Sequence, residues 1–198
     1  AFRRDPALVW QWYAWRRSVV GACRPNDAHR TLVDMEQALD DFVLVTQNVD
    51  GLHVLAGSRR VLELHGSIWR LRCTRECCPA WEDRRDPLPE IPPRCPVCGA
   101  PARPDVVWFG EALPGSVLAA AMDAARRCRL MLVVGTSAVV EPAASLPLLA
   151  LEGGARLVEI NPEATPLSQL AGQALREPAA RALPRWWGGQ GLGAGARG

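Results

Sequence analysis

The side chains best suited to acid–base chemistry come directly after two short apolar runs. Gln47, Asn48 and Asp50 follow the run 42–45, and His65 follows a second run. Such runs are typical of buried parallel strands, and α/β sheets bind ligands at the carboxyl ends of these strands. The amide and carboxylate groups are therefore candidates for holding a ligand. His65 is the one candidate general base, because histidine changes its charge near neutral pH; a capping or packing role is the alternative.

Cysteine spacing predicts a metal centre. Four of the seven cysteines form two close pairs: Cys73 with Cys77, and Cys95 with Cys98. This spacing is typical of a zinc ribbon, in which four thiolates close a tetrahedron and leave no position for an activated water. We therefore expect one structural zinc ion. Cys78 adjoins Cys77 and is an alternative second ligand, while the charged, proline-rich segment between the pairs is expected to be an exposed loop.

Composition narrows the class of protein. The chain has 198 residues, of which 48% are hydrophobic, enough for one core and a small insert. Its net charge is +2, and all 23 basic residues are arginines without a basic tract, so we expect no nucleic-acid partner. Apolar runs are short, so we expect no membrane span, no secretory signal and a cytoplasmic location. In that reducing compartment cysteines serve as metal ligands more often than as disulfides.

Helix and strand signals suggest how these residues are positioned. Asp5 and Pro6 form a helix start, and a second start follows at Asn26. The runs 130–134 and 156–160 are interpreted as buried strands, and the first is expected to be the most deeply buried strand of the chain. Strands that alternate with helices in this way predict an α/β fold with a parallel sheet.

The motif Thr-Gln-Asn-Val-Asp-Gly-Leu-His at 46–53, followed by Leu-His-Gly-Ser at 64–67, resembles the sirtuins, a family of NAD-dependent protein lysine deacylases. Gly-Thr-Ser at 135–137 and Asn-Pro-Glu at 161–163 resemble later sirtuin motifs, in the same order. The resemblance extends from about residue 1 to about residue 184. It implies a Rossmann-like, doubly wound parallel sheet that carries a small inserted zinc-ribbon module.

The resemblance also implies domain boundaries. Residues 1–66 and 104–187 are expected to form the domain that binds NAD and acyl-lysine, and 67–103 the zinc module. Residues 188–198 are glycine-rich and are expected to be a disordered tail.

Residue roles follow from the resemblance. It makes His65, Asn48 and Asp50 catalytic: His65 deprotonates a ribose hydroxyl, and the other two position ribose and water. It implies that NAD is a co-substrate and is contacted by the following residues: Gln47, Asn48, Val49, Asp50, Gly135, Thr136, Ser137, Asn161, Pro162, Glu163 and Ala174. The products would be nicotinamide, free lysine and O-acyl-ADP-ribose.

The implied protein substrates are acylated lysine-containing proteins or peptides. Val107, Phe109, Gly110 and Glu111 match the family's peptide-binding strand and are expected to line the acyl-lysine channel. Tyr13 and Arg16 match the Tyr-x-x-Arg signature of sirtuins that remove acidic acyl groups, since a guanidinium and a phenol together bind a carboxylate. The expected activity is therefore removal of succinyl or malonyl groups, with acetyl as a further substrate. Arg17 is expected to face elsewhere.

A sirtuin ordinarily begins with a strand, a Gly-Ala-Gly-Ile-Ser turn and a Phe-Arg-Asp loop that hold the pyrophosphate and nicotinamide ribose. The 198 residues contain no counterpart of this first β–α unit. Because that strand is central in a doubly wound sheet, we expect the 198-residue polypeptide by itself to bind NAD poorly and to be catalytically impaired.

Two other functions are compatible with parts of the sequence. The first is a truncated sirtuin that binds acylated peptides through its zinc module without consuming NAD; the retention of His65, Asn48 and Asp50 speaks against it. The second is mono-ADP-ribosyl transfer on the same fold, which the pair of Tyr13 and Arg16 disfavours.

Overall fold

The computed structural model describes residues 2–190. Its α-helices are α1 (Pro6–Ala22), α2 (Asp27–Ala38), α3 (Leu52–Ala56), α4 (Gly115–Arg127), α5 (Leu146–Glu152) and α6 (Ala179–Gly188). Its strands are β1 (Leu44–Thr46), β2 (Val61–Glu63), β3 (Gly66–Cys73), β4 (Trp81–Glu82), β5 (Ala102–Val106), β6 (Leu130–Val134), β7 (Arg156–Ile160) and β8 (Gln173–Leu175). Among these described elements, no helix has the length and apolar character needed to cross a membrane.

The chain divides into two compact units. The first comprises Ala1–Arg24, Asn48–Leu52 and His65–Ala112. It contains an antiparallel sheet in the order β4-β3-β5. Helix α1 packs on this sheet, and their shared core is built around Trp10, Ile68 and Leu71, which are fully buried.

The second unit comprises Pro25–Gln47, His53–Leu64 and the chain from Leu113 onward. It contains two parallel sheets, β1-β2 and β6-β7-β8. Side chains of α2 and α6 pack against β7, and a separate apolar cluster joins α4 and α5 to Leu64. Parallel strands covered by helices confirm the predicted α/β class. The predicted boundaries at 67–103 and 104–187 stay a prediction.

The two predicted helix starts are present. The Asp5 carboxylate accepts a hydrogen bond of 2.9 Å from the backbone N–H of Leu8, and Pro6 is the first residue of α1. The Asn26 side chain accepts from the backbone of α2, and His29 completes a capping box there. Side chains that satisfy the first N–H groups of a helix fix its start, which explains why the sequence located both.

Two expectations about strands and termini meet different outcomes. The expectation that β6 is the most buried strand is wrong: β6 lies at the edge of its sheet and Leu130 is 37% exposed, whereas four of the five residues of β7 are buried. An apolar sequence does not by itself separate a central strand from an edge strand. Of the tail predicted to be disordered, Gly188 is the last residue of α6, and 191–198 lie outside the described residues.

Candidate active site and metal centre

The segment that carries Asn48 and Asp50 is held at several points within the first unit. The Asp50 carboxylate accepts a hydrogen bond of 2.9 Å from the N–H of Leu52, and the Asp50 carbonyl accepts one of 2.6 Å from Trp69 Nε1. The Val49 carbonyl accepts a further bond of 3.0 Å from the backbone of β3. The backbone of this predicted catalytic segment is therefore fixed by its neighbours, while Asn48 is exposed and Asp50 half-buried.

His65 is the residue just before β3, and its carbonyl accepts a hydrogen bond of 3.0 Å from the N–H of Val107. Gly66 has a φ of +76°, and a Cβ at this position would lie 2.0 Å from the Asp105 carbonyl oxygen. Only glycine fits so close to β5 in this backbone region. The structure thus places the predicted base, Asn48 and Asp50 in the same unit, and it places Gln47 in the other.

The predicted nucleotide contacts share one sheet edge in the second unit. Gly135 follows β6, Asn161 follows β7, and Ala174 lies on β8, the third parallel strand of the same sheet. The N–H of Gly135 donates 2.9 Å to the carbonyl of Ile160, which joins the first two strand ends. Polar loops at the carboxyl ends of adjacent parallel strands are the usual place for a nucleotide in an α/β sheet.

Side chains shape the two loops at this edge. Thr136 Oγ1 accepts a hydrogen bond of 3.2 Å from the N–H of Ala138, and Asn161 Nδ2 donates one of 2.8 Å to the Glu163 carbonyl. Ser137, Pro162 and Glu163 are exposed. The loops are therefore formed by local hydrogen bonds and still present polar groups to solvent.

Glu159 is a buried acid that sequence reasoning missed. It lies on β7 with no exposed surface, and its carboxylate accepts hydrogen bonds from the hydroxyls of Thr165 and Ser168. Arg176 Nη1 lies 2.6 Å from the same carboxylate. Burial raises the pKa of Glu159, but these three partners lower it more, so the net shift is downward. The signal was a single acid within an apolar strand, since a buried charge requires partners.

Tyr13 belongs to a hydrogen-bonded group at the end of β5. Its hydroxyl accepts 2.8 Å from Trp108 Nε1, and the Arg103 guanidinium lies 3.5 Å from the Trp108 ring centroid. Arg103 also forms two hydrogen bonds, 2.6 and 2.8 Å long, with the Glu111 carboxylate. These bonds, chiefly that from Arg103, lower the pKa of Glu111. Glu111 is therefore committed to holding its own loop, at whose tip Phe109 is fully exposed.

Arg16 and Tyr13 differ in exposure although both lie on α1. Tyr13 is 7% exposed, and burial is the main reason why its pKa is raised. Arg16 is exposed and its guanidinium lies 5.2 Å from the Trp12 ring centroid. Its charge still lowers the pKa of Tyr13, so the two groups interact electrostatically, as expected for a pair that would bind one anion.

Arg17 faces the core of the first unit and is almost completely buried. It donates to the carbonyl and carboxylate oxygens of Asp83, and its guanidinium lies 5.1 Å from the Trp69 ring centroid. Burial raises the pKa of Asp83, but hydrogen bonds from Arg85 and the charge of Arg17 lower it more. Trp10, Tyr13 and Arg17 are three and four residues apart, which was the sequence signal for one buried face.

Four cysteine sulfurs form a cluster in the first unit. The sulfurs of Cys73, Cys77, Cys95 and Cys98 all lie within 4.8 Å of one another. Cys77 Sγ is 3.5 Å from the sulfurs of Cys73 and Cys95. A zinc ion with Zn–S distances of about 2.3 Å holds four thiolates roughly 3.8 Å apart, so the predicted ligands fit zinc.

The electrostatics of the cluster favour metal binding. Burial raises the pKa of the Cys95 thiol, but hydrogen bonds from the backbone N–H groups of Cys98 and Val97 lower it more, to about 6. The backbone N–H of Arg75 likewise donates to Cys73 Sγ at 3.3 Å. Thiolates are the form that binds zinc, and N–H groups directed at sulfur stabilise that form.

Parallel strands with polar residues at their carboxyl ends, together with a four-cysteine cluster, define an α/β protein with a separate metal centre. Residues 1–142 match the Sir2 family. The chain is 49% identical over 185 residues to a protein of Aquifex aeolicus (strain VF5) named NAD-dependent protein deacylase, covering 93% of this chain and 77% of that protein. This chain belongs to the Sir2 family.

Further relatives agree. A protein of Thermus thermophilus, also named NAD-dependent protein deacylase, is 52% identical over 190 residues, which are 92% of this chain and 72% of that protein. A solved structure described as a Sir2 homolog–NAD complex has a TM-score of 0.90 and 44% identity, covering 97% of this chain and 75% of that one. A structure described as Sir2 bound to acetylated peptide has a TM-score of 0.85 and 30% identity, covering 96% and 81%.

Proposed function

We propose that this chain is an NAD-dependent protein-lysine deacylase that produces nicotinamide and O-acyl-ADP-ribose. The observation that carries the proposal is 49% identity, over 93% of the chain, to a relative named NAD-dependent protein deacylase. Solved relatives at 44% identity are described as complexes with NAD and with 2′-O-acetyl ADP ribose. Because function resides in a site rather than in a fold, the residues of this chain must also suit the reaction.

In the proposal, NAD binds the strand ends of the second unit. Gly135, Thr136 and Ser137 contact its phosphates and ribose, and Asn161, Pro162, Glu163 and Ala174 contact its adenosine. The hydrogen bonds of Thr136, Asn161 and Gly135 support this, because they fix both loops before a ligand arrives. Gln47, Asn48, Val49 and Asp50 form the remaining contacts.

NAD supplies the ribose carbon to which the acyl oxygen becomes bonded as nicotinamide leaves. His65 then takes a proton from a ribose hydroxyl, which is the role of a general base. Asn48 and Asp50 orient the ribose and the water that completes the reaction. The hydrogen bonds that hold the backbone at Val49, Asp50 and His65 support these roles, since a catalytic group must be kept in position to be effective.

The proposed substrate is an acylated lysine within an extended peptide. Val107, Phe109, Gly110 and Glu111 would contact it, the first three through backbone and apolar surface. The complete exposure of Phe109 and the bracing of Glu111 by Arg103 support a rigid, accessible binding loop. The zinc ion would stabilise the unit that carries this loop and would take no part in the chemistry, because four thiolates fill its coordination sphere.

For the acyl group we propose succinyl or malonyl, with acetyl as a poorer substrate. Arg16 would pair with the acyl carboxylate and Tyr13 would donate its hydroxyl proton to it. Two observations support this: Arg16 is exposed and therefore available, and its charge acts on Tyr13. The Tyr13 hydroxyl accepts from Trp108, which leaves its own proton for the acyl carboxylate. The proposal places the protein in the cytoplasm, where thiolates remain reduced.

The test is a substrate-dependence assay. The full chain is incubated with NAD and an acylated peptide, and nicotinamide and O-acyl-ADP-ribose are quantified by mass spectrometry. A parallel sample carries the glycine-rich segment of the Aquifex aeolicus relative at its N-terminus. We expect equimolar nicotinamide and O-acyl-ADP-ribose that require both substrates. Peptide binding without NAD consumption in both samples would instead support an acyl-peptide-binding module and would contradict the proposal.

A further inference from the structure

The metal cluster contains a fifth thiol. Cys78 Sγ lies 3.6 Å from Cys95 Sγ, and Cys77 Sγ lies 3.5 Å from the same atom. Cys78 packs against the buried residues Cys73, Cys95 and Ala100, whereas Cys77 is exposed. Two consecutive cysteines therefore approach one ligand equally closely, and the second of them is the more buried.

The backbone before these two residues has a specific form. The N–H of Glu76 donates 3.1 Å to the carbonyl of Cys73, which closes a turn, and Glu76 has a φ of +52°. A non-glycine residue in this left-handed region costs roughly 1–2 kcal/mol, so other contacts must maintain it. This turn accommodates the additional residue in a pair spaced by three residues instead of two, and it brings both thiols to the cluster.

We propose that Cys78 is an interchangeable fourth ligand: zinc is held by Cys73, Cys95 and Cys98, and by either Cys77 or Cys78. Both arrangements supply four thiolates, so the coordination number and the charge of the centre stay the same. Movement between them requires a small adjustment at two adjacent residues. The thiol that is not bound remains next to the metal and replaces its neighbour when that neighbour is lost. This inference concerns the metal centre and does not rest on the proposed deacylase activity.

Variants of the full chain test the proposal through metal content. Cys77→Ser and Cys78→Ser are each expected to retain zinc at the stoichiometry of the parent protein after gel filtration. The double variant Cys77→Ser/Cys78→Ser and the control Cys73→Ser are expected to lose most of it. Zinc is measured by atomic emission, and protein by amino-acid analysis.

Cobalt substitution shows which atoms bind. The visible bands of Co²⁺ depend on the number of thiolates, so Cys77→Ser should retain the spectrum of a four-thiolate site, and the double variant should not. If Cys77→Ser has the spectrum and zinc content of the double variant, Cys78 is not a ligand and the proposal fails. If Cys78→Ser loses zinc as Cys73→Ser does, Cys78 is the sole second ligand and exchange is equally refuted.

A measurement on the unaltered protein avoids any folding defect of the variants. Brief alkylation of the zinc-loaded chain labels thiols that are not bound to metal. Trypsin cleaves after Arg75 and Arg84, so one peptide contains both Cys77 and Cys78, and tandem mass spectrometry locates the label. Exchange predicts two singly labelled forms of this peptide. Label on Cys78 alone, or on Cys77 alone, would contradict exchange, and label on the exposed Cys23 verifies the reagent.

Discussion

The indole nitrogen of Trp69 donates a hydrogen bond of 2.6 Å to the carbonyl oxygen of Asp50. This bond ties the predicted catalytic segment to β3, whose backbone forms a second bond with Val49. Trp69 is itself held, because the guanidinium of the buried Arg17 lies against its ring. The position of Asp50 thus depends on a residue that sequence analysis did not single out.

Trp69→Phe tests this relationship, because phenylalanine keeps an aromatic ring and removes the N–H donor. We expect a loss of about 1 kcal/mol in the free energy of unfolding, since the Asp50 carbonyl loses its partner. Amide exchange in the segment 49–52 should accelerate selectively, as measured by hydrogen–deuterium exchange. Trp12→Phe is the control, because Trp12 is 47% exposed. Unchanged exchange in 49–52 would show that the indole bond does not hold this segment.

Gly66→Ala should be strongly destabilising. The added Cβ would lie 2.0 Å from the Asp105 carbonyl at a φ of +76°. Strain and displacement of β5 together should cost about 3 kcal/mol or more, which lowers the melting temperature by roughly 6–12 °C. Gly115→Ala is the matched control at the start of α4, where no atom lies within 4 Å of the added Cβ, and it should be neutral or slightly stabilising. Equal melting temperatures for the two variants would contradict this geometry.

Asp83 should contribute a component of stability that depends on pH. Its folded-state pKa is lowered by Arg85 and Arg17 despite burial. Its contribution is therefore complete above the pKa of an unfolded aspartate, about 4, and is lost as the pH falls through the folded value. We expect the free energy of unfolding to decrease below about pH 4, and Asp83→Asn to reduce that decrease. Urea unfolding from about pH 3 to about pH 7 measures it.

Asp34→Asn is the control for Asp83→Asn, because Asp34 is an exposed aspartate on α2. It should leave the pH dependence unchanged. An identical acid profile for Asp83→Asn and the parent protein would mean that the buried pair of Arg17 and Asp83 does not couple folding to protonation.

Arg16→Met tests the proposed acyl preference. The guanidinium is expected to bind the acyl carboxylate, and a charged hydrogen bond of this kind contributes about 1.5–3 kcal/mol. The value of kcat/KM for a succinylated peptide should therefore fall by about 10-fold to 100-fold, with little change for the acetylated peptide. Arg30→Met, an exposed arginine on α2, should alter neither. An equal effect of Arg16→Met on both peptides would refute a role in acyl recognition.

The sequence predicts those parts of the molecule that depend on neighbouring residues. Asp5, Pro6 and Asn26 locate two helix starts because capping is a local interaction. The strands 130–134 and 156–160 have the predicted bounds, and the close cysteine pairs predict a cluster that the structure contains. Each of these patterns includes its own physical cause within a few residues.

Interactions between distant residues could not be predicted in the same way. The partner of Arg17 is 66 residues away, and the partner of the Trp69 indole is 19 residues away. A buried indole or guanidinium must have a hydrogen-bond partner, but its sequence does not identify which one. The edge position of β6 likewise depends on the pairing of strands and not on the apolar character of its residues.

The most direct test of the account is the effect of His65→Ala on nicotinamide release from NAD in the presence of acylated peptide. The assay uses the chain that carries the glycine-rich N-terminal segment, and melting temperature verifies that the variant is folded. Loss of a general base should slow the reaction by about 100-fold to 10,000-fold, while NAD binding is retained. Release at the rate of the parent protein would contradict the role of His65 and, with it, the proposed mechanism.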